Sequence, residues 1–253
     1  MIKINFIFDK TKQALNFKKK IIKKFKNYPI KQAQYVVVAG GDGFMLQTIK
    51  KNYFFDKPFY GVNCGSYGFL MNKSNNINIL NKLKKSKRII INPIIIRAVN
   101  IDNKIINLIA INEISLFRQS KQTASVQVEI NKKITVKKLI GDGILVSTPA
   151  GSTAYNYSAN GKILSLNSGK LAVTPISPFR PRRWCGKIVS NKSIIKIKNL
   201  NPKKRPVALV ADNIEKRNIK NINVKNFKKI KISLLYDNST NLNNKIKKEQ
   251  NKK

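Results

Sequence analysis

A single carboxylate, Asp42, lies in a glycine-rich turn of a chain that is rich in lysine. The stretch VVVAGGDGFMLQTI, residues 36–49, places Gly40, Gly41 and Gly43 around it, after an apolar run and before an amphipathic one. A strand that enters a helix through such a turn leaves unpaired N–H groups, and the helix dipole adds partial positive charge there. Phosphate binds readily at such a place, and glycine permits positive φ and close approach to a ligand. A carboxylate beside bound phosphate can accept a hydroxyl proton or help to hold a metal ion.

The same turn has a structural interpretation, in which Asp42 caps the following helix through an Asx-type turn. Its residues match neither the Walker A pattern G-x-x-x-x-G-K-[ST] nor the pattern GxGxxG. The two interpretations stay open on this stretch alone.

Two further stretches could complete a nucleotide site. GVNCGSYGFL, residues 61–70, is a second strand that ends in glycines, and turns after neighbouring parallel strands face one crevice of an α/β sheet. A plain loop with Phe69 and Leu70 in the core is the alternative. In INEISLFR, residues 111–118, Asn112 and Glu113 interrupt a β-branched run. An adjacent amide and carboxylate can bind a ribose hydroxyl pair or an adenine edge, although this signal is weak by itself.

The densest polar stretch is GDGILVSTPAGSTAYNYSANGKIL, residues 141–164. Asp142 stands between glycines, and a strand then leads to a series of hydroxyl side chains: Ser147, Thr148, Ser152, Thr153, Tyr155 and Ser158. So many hydroxyl groups on a tight turn suit hydrogen bonding to a polar ligand rather than burial in a core. A hydroxyl-rich surface loop is the alternative.

Composition excludes several classes of protein. The 253 residues include no histidine, which removes Ser-His-Asp triads, HExxH zinc sites and histidine general bases. The 51 Lys and Arg against 11 Asp and Glu give a net charge of +40, which favours anionic partners. Compositional drift toward Lys, Asn and Ile in an AT-rich genome is the alternative source of that charge. The basic residues are spread along the chain, whereas a nucleic-acid-binding protein gathers them on one face, so we expect no specific nucleic acid partner.

Several absences favour a soluble protein of the reducing cytoplasm. Cys64 and Cys185 have no CxxC partner, so neither a disulfide framework nor a zinc site is indicated. The N-terminal apolar run is interrupted by Asn5 and Asp9, and is too short and polar for a secretory signal. The most apolar run, RIIINPIIIRAVNI, contains a proline and an arginine and falls short of a membrane span.

The elements that must position these residues change character along the chain. In residues 2–70, apolar strands alternate with segments whose apolar residues have helical spacing, which is the pattern of an α/β layer. From about Ile89 onward, short β-branched runs separated by polar turns indicate antiparallel strands. We therefore predict an α/β nucleotide-binding domain over residues 1–90 and a β-rich domain over 91–236. The polar residues 237–253 lack periodicity and are expected to be frayed.

Taken in order, these stretches resemble the NAD kinase family. TPISPFRPR and RPVALVAD extend the resemblance, which covers residues 36–213, and SPFRPRRW is similar to the alphaproteobacterial branch. GGDG alone is weak, since diacylglycerol kinases, sphingosine kinases and phosphofructokinases carry similar turns, but STPAGSTAY is highly specific. The resemblance implies the two-domain fold shared with diacylglycerol kinases, with NAD in the cleft. It also implies transfer of the ATP γ-phosphoryl group to the 2′-hydroxyl group of the adenosine ribose of NAD, giving NADP.

The resemblance assigns roles to individual residues. Asp42 matches the proton acceptor, and no residue is assigned as a metal ligand. The other predicted contacts of the dinucleotide are Gly43, Phe69, Leu70, Asn112, Glu113, Asp142, Ser152, Thr153, Ala154, Tyr155, Ser158, Ser177, Phe179 and Asp212. Many members carry a basic residue where this chain has Ile140, which puts one substrate contact in doubt.

The resemblance also implies partners. A divalent cation, Mg²⁺ by expectation, enters with ATP, polyphosphate is a possible alternative donor, and members are homodimers or homotetramers. No membrane partner is expected. The rival functions are a lipid kinase of the diacylglycerol type, which shares the GGDG turn, and a nucleic-acid-binding protein, which the charge suggests.

Overall fold

The structure is a computed structural model that describes residues 2–65, 68–73, 78–227, 230–240 and 245. The chain divides into two compact units, Met1–Ile91 with Ile230–Lys253, and Asn92–Lys229. The sequence assigned residues 91–236 to the second domain. The structure instead places residues 230–236 in the first unit, because a strand there pairs with that unit's sheet.

The first unit is an α/β layer, as the alternation of apolar strands and helical spacing predicted. Its elements in chain order are β1 (Ile4–Phe8), α1 (Lys12–Ile22), β2 (Tyr35–Gly40), α2 (Asp42–Asn52), a 3-10 helix (Tyr53–Phe55), β3 (Phe59–Asn63), α3 (Ile79–Lys85), β4 (Lys87–Ile91) and, as the last strand of the chain, β17 (Ile232–Tyr236). The sheet order is β1-β2-β3-β17-β4. The first four strands in that order run parallel, and β4 pairs antiparallel with β17.

Strand β2 is an interior strand of this sheet, between β1 and β3, and its YVVVAG sequence is apolar on both faces. Val36 to Gly40 are all buried, as expected for a parallel strand covered on both sides. In the register between β2 and β3, Gly40 lies opposite Asn63. Both strands therefore end level, and the two glycine turns that follow them leave the same edge of the sheet.

The second unit is built from antiparallel strands. Its elements are β5 (Ile94–Asn100), β6 (Ile105–Ala110), β7 (Glu113–Arg118), β8 (Ala124–Ile130), β9 (Lys133–Gly141), β10 (Gly143–Ser147), α4 (Tyr155–Ser158), β11 (Lys170–Ile176), β12 (Lys187–Ser190), β13 (Ile194–Asn199), β14 (Val207–Ala211), β15 (Ile214–Lys216) and β16 (Ile219–Asn226). One sheet has the order β12-β11-β10-β7-β14-β15, and the other has the order β6-β5-β16-β13-β8-β9.

The two sheets of this unit pack through one hydrophobic core. Strand β13 shows why: its residues alternate exposed and buried, with Ile195 and Ile197 inward and Lys196 and Lys198 outward. Strands such as β7, β10 and β14 contribute from the other sheet to the same buried cluster, which includes Ile114, Ile144 and Leu209. The β-rich class predicted for this part of the chain is confirmed.

The apolar run RIIINPIIIRAVNI, read as a single stretch in the sequence, is divided between the two units. It forms β4 in the first and β5 in the second, with Pro93 between them. Proline has no N–H group to donate to a sheet ladder, so a break at this position is expected. The described helices include none that is long and apolar enough to cross a lipid bilayer.

Candidate active site

In the first unit, the carboxylate of Asp42 is held by two backbone N–H groups of the second glycine turn. Oδ2 accepts from the N–H of Phe69 at 2.7 Å, and Oδ1 accepts from the N–H of Leu70 at 3.0 Å. Asp42 is the first residue of α2 and is partly exposed. The two turns predicted to share one crevice are thus joined directly through this side chain.

The first turn does not use the positive φ that its glycines permit. Gly41, in an extended conformation, is the N-cap of α2, and Asp42 is the first residue of the helix. Both carboxylate oxygens of Asp42 reach across to the second turn, which differs from the capping alternative. A β-carbon on Gly41 or Gly43 would meet no atom of the described residues within 4 Å, so these glycines leave open space in front of the helix N-terminus.

The second turn combines a buried face with a polar backbone. The side chains of Phe69 and Leu70 are buried, as the plain-loop alternative expected, while their N–H groups bind Asp42. A β-carbon on Gly68 would lie 2.9 Å from Oδ1 of Asp42 and 2.7 Å from Cγ of Met71. Glycine is therefore required at residue 68 for the turn to approach the carboxylate. Ser66 and Tyr67 lie outside the described residues.

In the second unit, a cavity of about 360 Å³ lies on the face of β7 and β14. Its lining residues are Glu113, Ser115, Phe117, Arg118, Gln119, Tyr155, Ala208, Val210, Asp212, Glu215 and Arg217. Three of the residues predicted to contact the dinucleotide are among them: Glu113, Tyr155 and Asp212. The volume suits part of a nucleotide, since ligand pockets typically range from about 300 to 1,000 Å³.

Asp212 organises the backbone at the entry to β7. Its carboxylate accepts from the N–H groups of Ile111 and Asn112, both at 2.9 Å, and of Glu113 at 3.2 Å. Asp212 itself has φ of 51°, and its N–H donates to the carbonyl group of Glu113. These bonds orient the Asn112–Glu113 pair, so the carboxylate of Asp212 acts on the candidate site through the backbone.

Only some hydroxyl groups of residues 147–158 are accessible to a ligand. Ser147, Thr148 and Ser152 are buried and bond to backbone groups: for example, the hydroxyl of Thr148 donates to the carbonyl group of Ile111 at 2.7 Å. The hydroxyl of Ser152 accepts from the N–H of Leu164 at 2.9 Å, so it serves the loop itself. The expectation that these hydroxyl groups face a ligand rather than a core is wrong for these three residues.

The other predicted contacts in that loop lie at its surface. Thr153 and Ala154 are partly exposed, and Tyr155 and Ser158 are exposed. A β-carbon on Gly151 would lie 2.4 Å from the carbonyl oxygen of Asn112. The loop is therefore packed directly against the Asn112 peptide, which brings two of the predicted motifs together.

Tyr155 lies close to two carboxylates of the predicted site. Burial, and then the negative charges of Asp142 and Glu113, raise the pKa of Tyr155. Asp142 forms an ion pair with Arg118, whose Nε donates to Oδ1 of Asp142 at 2.5 Å. Arg118 therefore fixes one carboxylate at the cavity. Arg118 ends the stretch INEISLFR, but it was not among the predicted site residues.

Ser177 and Phe179 follow β11 and lie beside the end of β9. The N–H of Phe179 donates to the carbonyl group of Ile140 at 2.7 Å, and Ser177 has φ of 44°. The ring of Phe179 is 52% exposed and carries the guanidinium groups of Arg180 and Arg182, centred 4.5 Å and 5.4 Å from its centroid. The exposed segment thus presents positive charge next to Ile140, where a basic residue was expected.

The structure therefore gathers the predicted residues into two groups. Asp42, Gly43, Phe69 and Leu70 lie together in the first unit, and the other predicted contacts lie in the second. Within the second unit, Ser115 and Phe117 line the cavity with Glu113, and neither was predicted. The alternation of side chains along a strand is the signal that could have found them, since residues 113, 115 and 117 share a face.

In the described part of the chain, no three acidic, cysteine or histidine side chains are grouped to hold a metal ion.

The chain thus joins an α/β unit with an acidic glycine turn to a β-rich unit whose cavity suits part of a nucleotide, a combination that indicates a two-domain kinase with a nucleotide substrate. Residues 111–235 match the family model described as the ATP-NAD kinase C-terminal domain. An NAD kinase of Zymomonas mobilis is 40% identical over 252 residues, which cover 98% of this chain and 97% of that protein. An NAD kinase of Rickettsia felis is 42% identical over 248 residues, with the same coverage.

Solved structures agree on the fold. Yeast NADH kinase in complex with NADH superposes with a TM-score of 0.83 at 20% identity, covering 100% of this chain and 89% of that one. An NAD kinase from Archaeoglobus fulgidus in complex with ATP gives a TM-score of 0.77 at 20% identity, covering 98% and 99%. The chain belongs to the NAD kinase family. The resemblance read from its motifs is confirmed, as is the alphaproteobacterial affinity.

The two glycines of the second turn provide a matched test of the Asp42 geometry. Gly68→Ala should destabilise the protein by about 1–3 kcal/mol, the usual result of overpacking, and should lower turnover because the Asp42 carboxylate or Met71 must move. Gly65→Ala should change little, since among the described residues its β-carbon would meet only Oδ1 of Asn63, at 3.6 Å. Urea unfolding and steady-state kinetics of both variants measure the difference, and equal behaviour of the two would contradict the predicted clash.

Proposed function

We infer that the chain is an NAD kinase, which transfers the γ-phosphoryl group of ATP to the 2′-hydroxyl group of the adenosine ribose of NAD. The observation that supports it best is the Asp42 carboxylate, held at a glycine turn of the first unit by two N–H groups. Family membership and the cavity of the second unit support the same conclusion. The lipid kinase and nucleic-acid-binding alternatives are not favoured by these findings.

In the proposed reaction, the ribose 2′-oxygen forms a bond to the γ-phosphorus atom while the bond to the β,γ-bridging oxygen breaks, and ADP leaves. Asp42 accepts the hydroxyl proton as the catalytic residue. A carboxylate has about four acceptor sites, so one that is oriented by two N–H groups can still take up a proton. Phosphoryl transfer depends mainly on positioning and charge neutralisation, which makes that orientation important.

We assign recognition of the dinucleotide chiefly to the second unit. Glu113 and Tyr155 line its cavity, with Asn112 held beside Glu113 by the carboxylate of Asp212. Thr153, Ala154 and Ser158 complete the surface of the adjoining loop, and the segment with Ser177 and Phe179 contributes a further contact. We assign Ser152 a supporting role, because its hydroxyl group is bonded inside the loop.

The divalent cation is proposed to arrive as part of the substrate. No three-ligand acidic group is found in the described residues, so Mg²⁺ bound to the phosphates of ATP is the form that we expect. We also propose a homodimer or homotetramer, following the family resemblance. A cytoplasmic location agrees with two free cysteines, one buried and one exposed.

The first prediction from this assignment concerns the activity itself. The purified chain should form NADP from NAD and ATP in the presence of Mg²⁺, because the proposed site acts on a nucleotide ribose. The assay couples NADP formation to an NADP-specific dehydrogenase, with parallel reactions containing polyphosphate, Mn²⁺ or diacylglycerol. Phosphorylation of diacylglycerol without formation of NADP would overturn the assignment.

Replacement of the proposed proton acceptor is the next test. Asp42→Asn should lower kcat by about 10²- to 10⁴-fold, the usual contribution of general base catalysis, since an amide cannot take up the proton. NAD affinity should be largely retained, because most of the proposed NAD contacts lie in the second unit.

In this variant an NH₂ group replaces one of the two oxygens that accept N–H bonds, so one of these hydrogen bonds is lost. The stability of the variant must therefore be measured together with its turnover. Near-normal turnover by a folded Asp42→Asn variant would show that Asp42 is not the base.

The cavity is tested with two tyrosines of nearly equal exposure. Tyr155 lines the cavity and is 39% exposed, whereas Tyr157 is 38% exposed and is not one of its lining residues. Tyr155→Ala should weaken NAD binding by about 1–3 kcal/mol if the ring stacks on a base. Tyr157→Ala should bind NAD as the unmodified protein does. Isothermal titration of both variants decides the matter, and unchanged affinity of the Tyr155 variant would make its loop purely structural.

A further inference from the structure

Lys245, in the part of the chain predicted to be frayed, is bonded to the turn that holds Asp42. Its Nζ donates to the carbonyl oxygens of Phe69 at 2.9 Å, of Gly68 at 3.3 Å, and of Met71. An ammonium group has three N–H donors, and here three carbonyl groups converge on it. Such convergence suits a compact point charge better than a planar guanidinium group.

Lys245 and Asp42 bind opposite ends of the same two peptide groups. The peptide between residues 68 and 69 offers its carbonyl group to Lys245 and its N–H group to Asp42. The peptide between residues 69 and 70 does the same. In a trans peptide the C=O and N–H bonds point in opposite directions, so each of these two groups forms a bridge from the ammonium group to the carboxylate.

The electrostatics of this bridge favour the ionised carboxylate in one orientation. The negative end of each peptide dipole faces the cation and the positive end faces the anion. Hydrogen bonds in such a chain polarise one another, so the Lys245 charge strengthens both N–H bonds to Asp42. The contact of the lysine with Asp42 that these bonds describe runs through the two peptide groups.

The ring of Tyr236 supports the lysine on the sheet side. Tyr236 is the last residue of β17 and is 1% exposed, and Nζ of Lys245 lies 5.2 Å from its ring centroid. Burial, and then the charge of Asp42, raise the pKa of Tyr236. The ring therefore lies near both the cation and the carboxylate, and its burial leaves little freedom for the ammonium group to move.

We propose that Lys245 is a positioning residue for phosphoryl transfer, which orients the Asp42 carboxylate through the peptide groups of residues 68–70. This inference rests on the proposed role of Asp42 as proton acceptor. It assigns a kinetic function to one lysine among the 51 basic residues of the chain. The contacts of that lysine set it apart from side chains that only contribute charge at the surface.

The test replaces Lys245 by methionine, which keeps the length of the side chain and removes the charge. Because a small misplacement of a catalytic group can cost about 100-fold, Lys245→Met should lower kcat by about 10- to 100-fold. The KM for NAD should change by a smaller factor than kcat, since most of the proposed NAD contacts lie in the second unit. Lys245→Arg retains the charge and should recover part of the lost turnover.

Lys82→Met is the matched control. Lys82 also lies in the first unit and donates to an acidic partner, Asp237, at 3.2 Å, but it does not bond to the 68–71 turn. This variant should keep the kcat of the unmodified protein. An equal loss of kcat in the two methionine variants, or normal kcat in Lys245→Met, would overturn the inference.

A second readout is independent of activity. The amide ¹H and ¹⁵N chemical shifts of Phe69 and Leu70 should move in Lys245→Met and stay unchanged in Lys82→Met, because the N–H bonds to Asp42 weaken only in the former. Unchanged shifts in Lys245→Met would refute the bridge even if turnover fell. If the unmodified protein makes no NADP while these shifts move as expected, the proposed function fails and the bridge stands.

Discussion

The candidate active site depends on two hydrogen bonds. In both, a backbone N–H group of the second glycine turn donates to the carboxylate of Asp42. This arrangement requires that β2 and β3 end level, since only then do the two glycine turns leave the sheet side by side. The N–H of Cys64, just after β3, donates to the carbonyl group of Gly40 at 2.9 Å and extends this registration by one residue. It also requires a residue without a side chain at position 68. The position of the Asp42 carboxylate therefore depends both on the pairing of the apolar strands β2 and β3 and on glycine at residue 68.

The second unit uses its polar residues in a comparable way. Asp212 binds three N–H groups at the start of β7, and Thr148 binds the carbonyl group of Ile111 in the same turn. These residues belong to separate motifs, yet their side chains converge on a few backbone groups around Asn112. Buried polar groups are costly unless they are paired, so a site assembled in this way is rigid when every partner is present. The accessible side chains are carried by that rigid backbone.

The general position of the site could be predicted from sequence, and the direction of its side chains could not. The rule that turns after parallel strands share an edge predicted the meeting of residues 40–43 with 65–70, because strand order there follows chain order. No such rule shows that Asp42 reaches across to Phe69 and Leu70 rather than capping α2. The hydroxyl groups of Ser147 and Ser152 were misjudged for a similar reason. A hydroxyl side chain suits a ligand and a backbone carbonyl equally well, so residue type does not distinguish them.

Lys245 marks a different limit of sequence reasoning. It stands in a polar segment without periodicity, and one lysine there resembles its neighbours in every local property. Residues 241–244 and 246–253 lie outside the described part of the chain, whereas Lys245 is described and contacts the turn at residues 68–71. Its significance depends on contacts with residues that lie 174 to 177 positions earlier in the chain.

Because acidic residues are scarce in this chain, the positions at which they occur are a separate indication of where the site lies. The chain has 11 carboxylate side chains against 51 basic ones. Three of them, Glu113, Asp212 and Glu215, line the cavity of the second unit, Asp142 is paired with the cavity-lining Arg118, and Asp42 occupies the glycine turn. A uniform excess of positive charge attracts phosphates without selecting among them, because it acts at long range on every anion. Carboxylates that persist at fixed points in such a chain must therefore supply what lysine cannot, which is an acceptor for N–H groups, ribose hydroxyl groups and the proton released in the reaction.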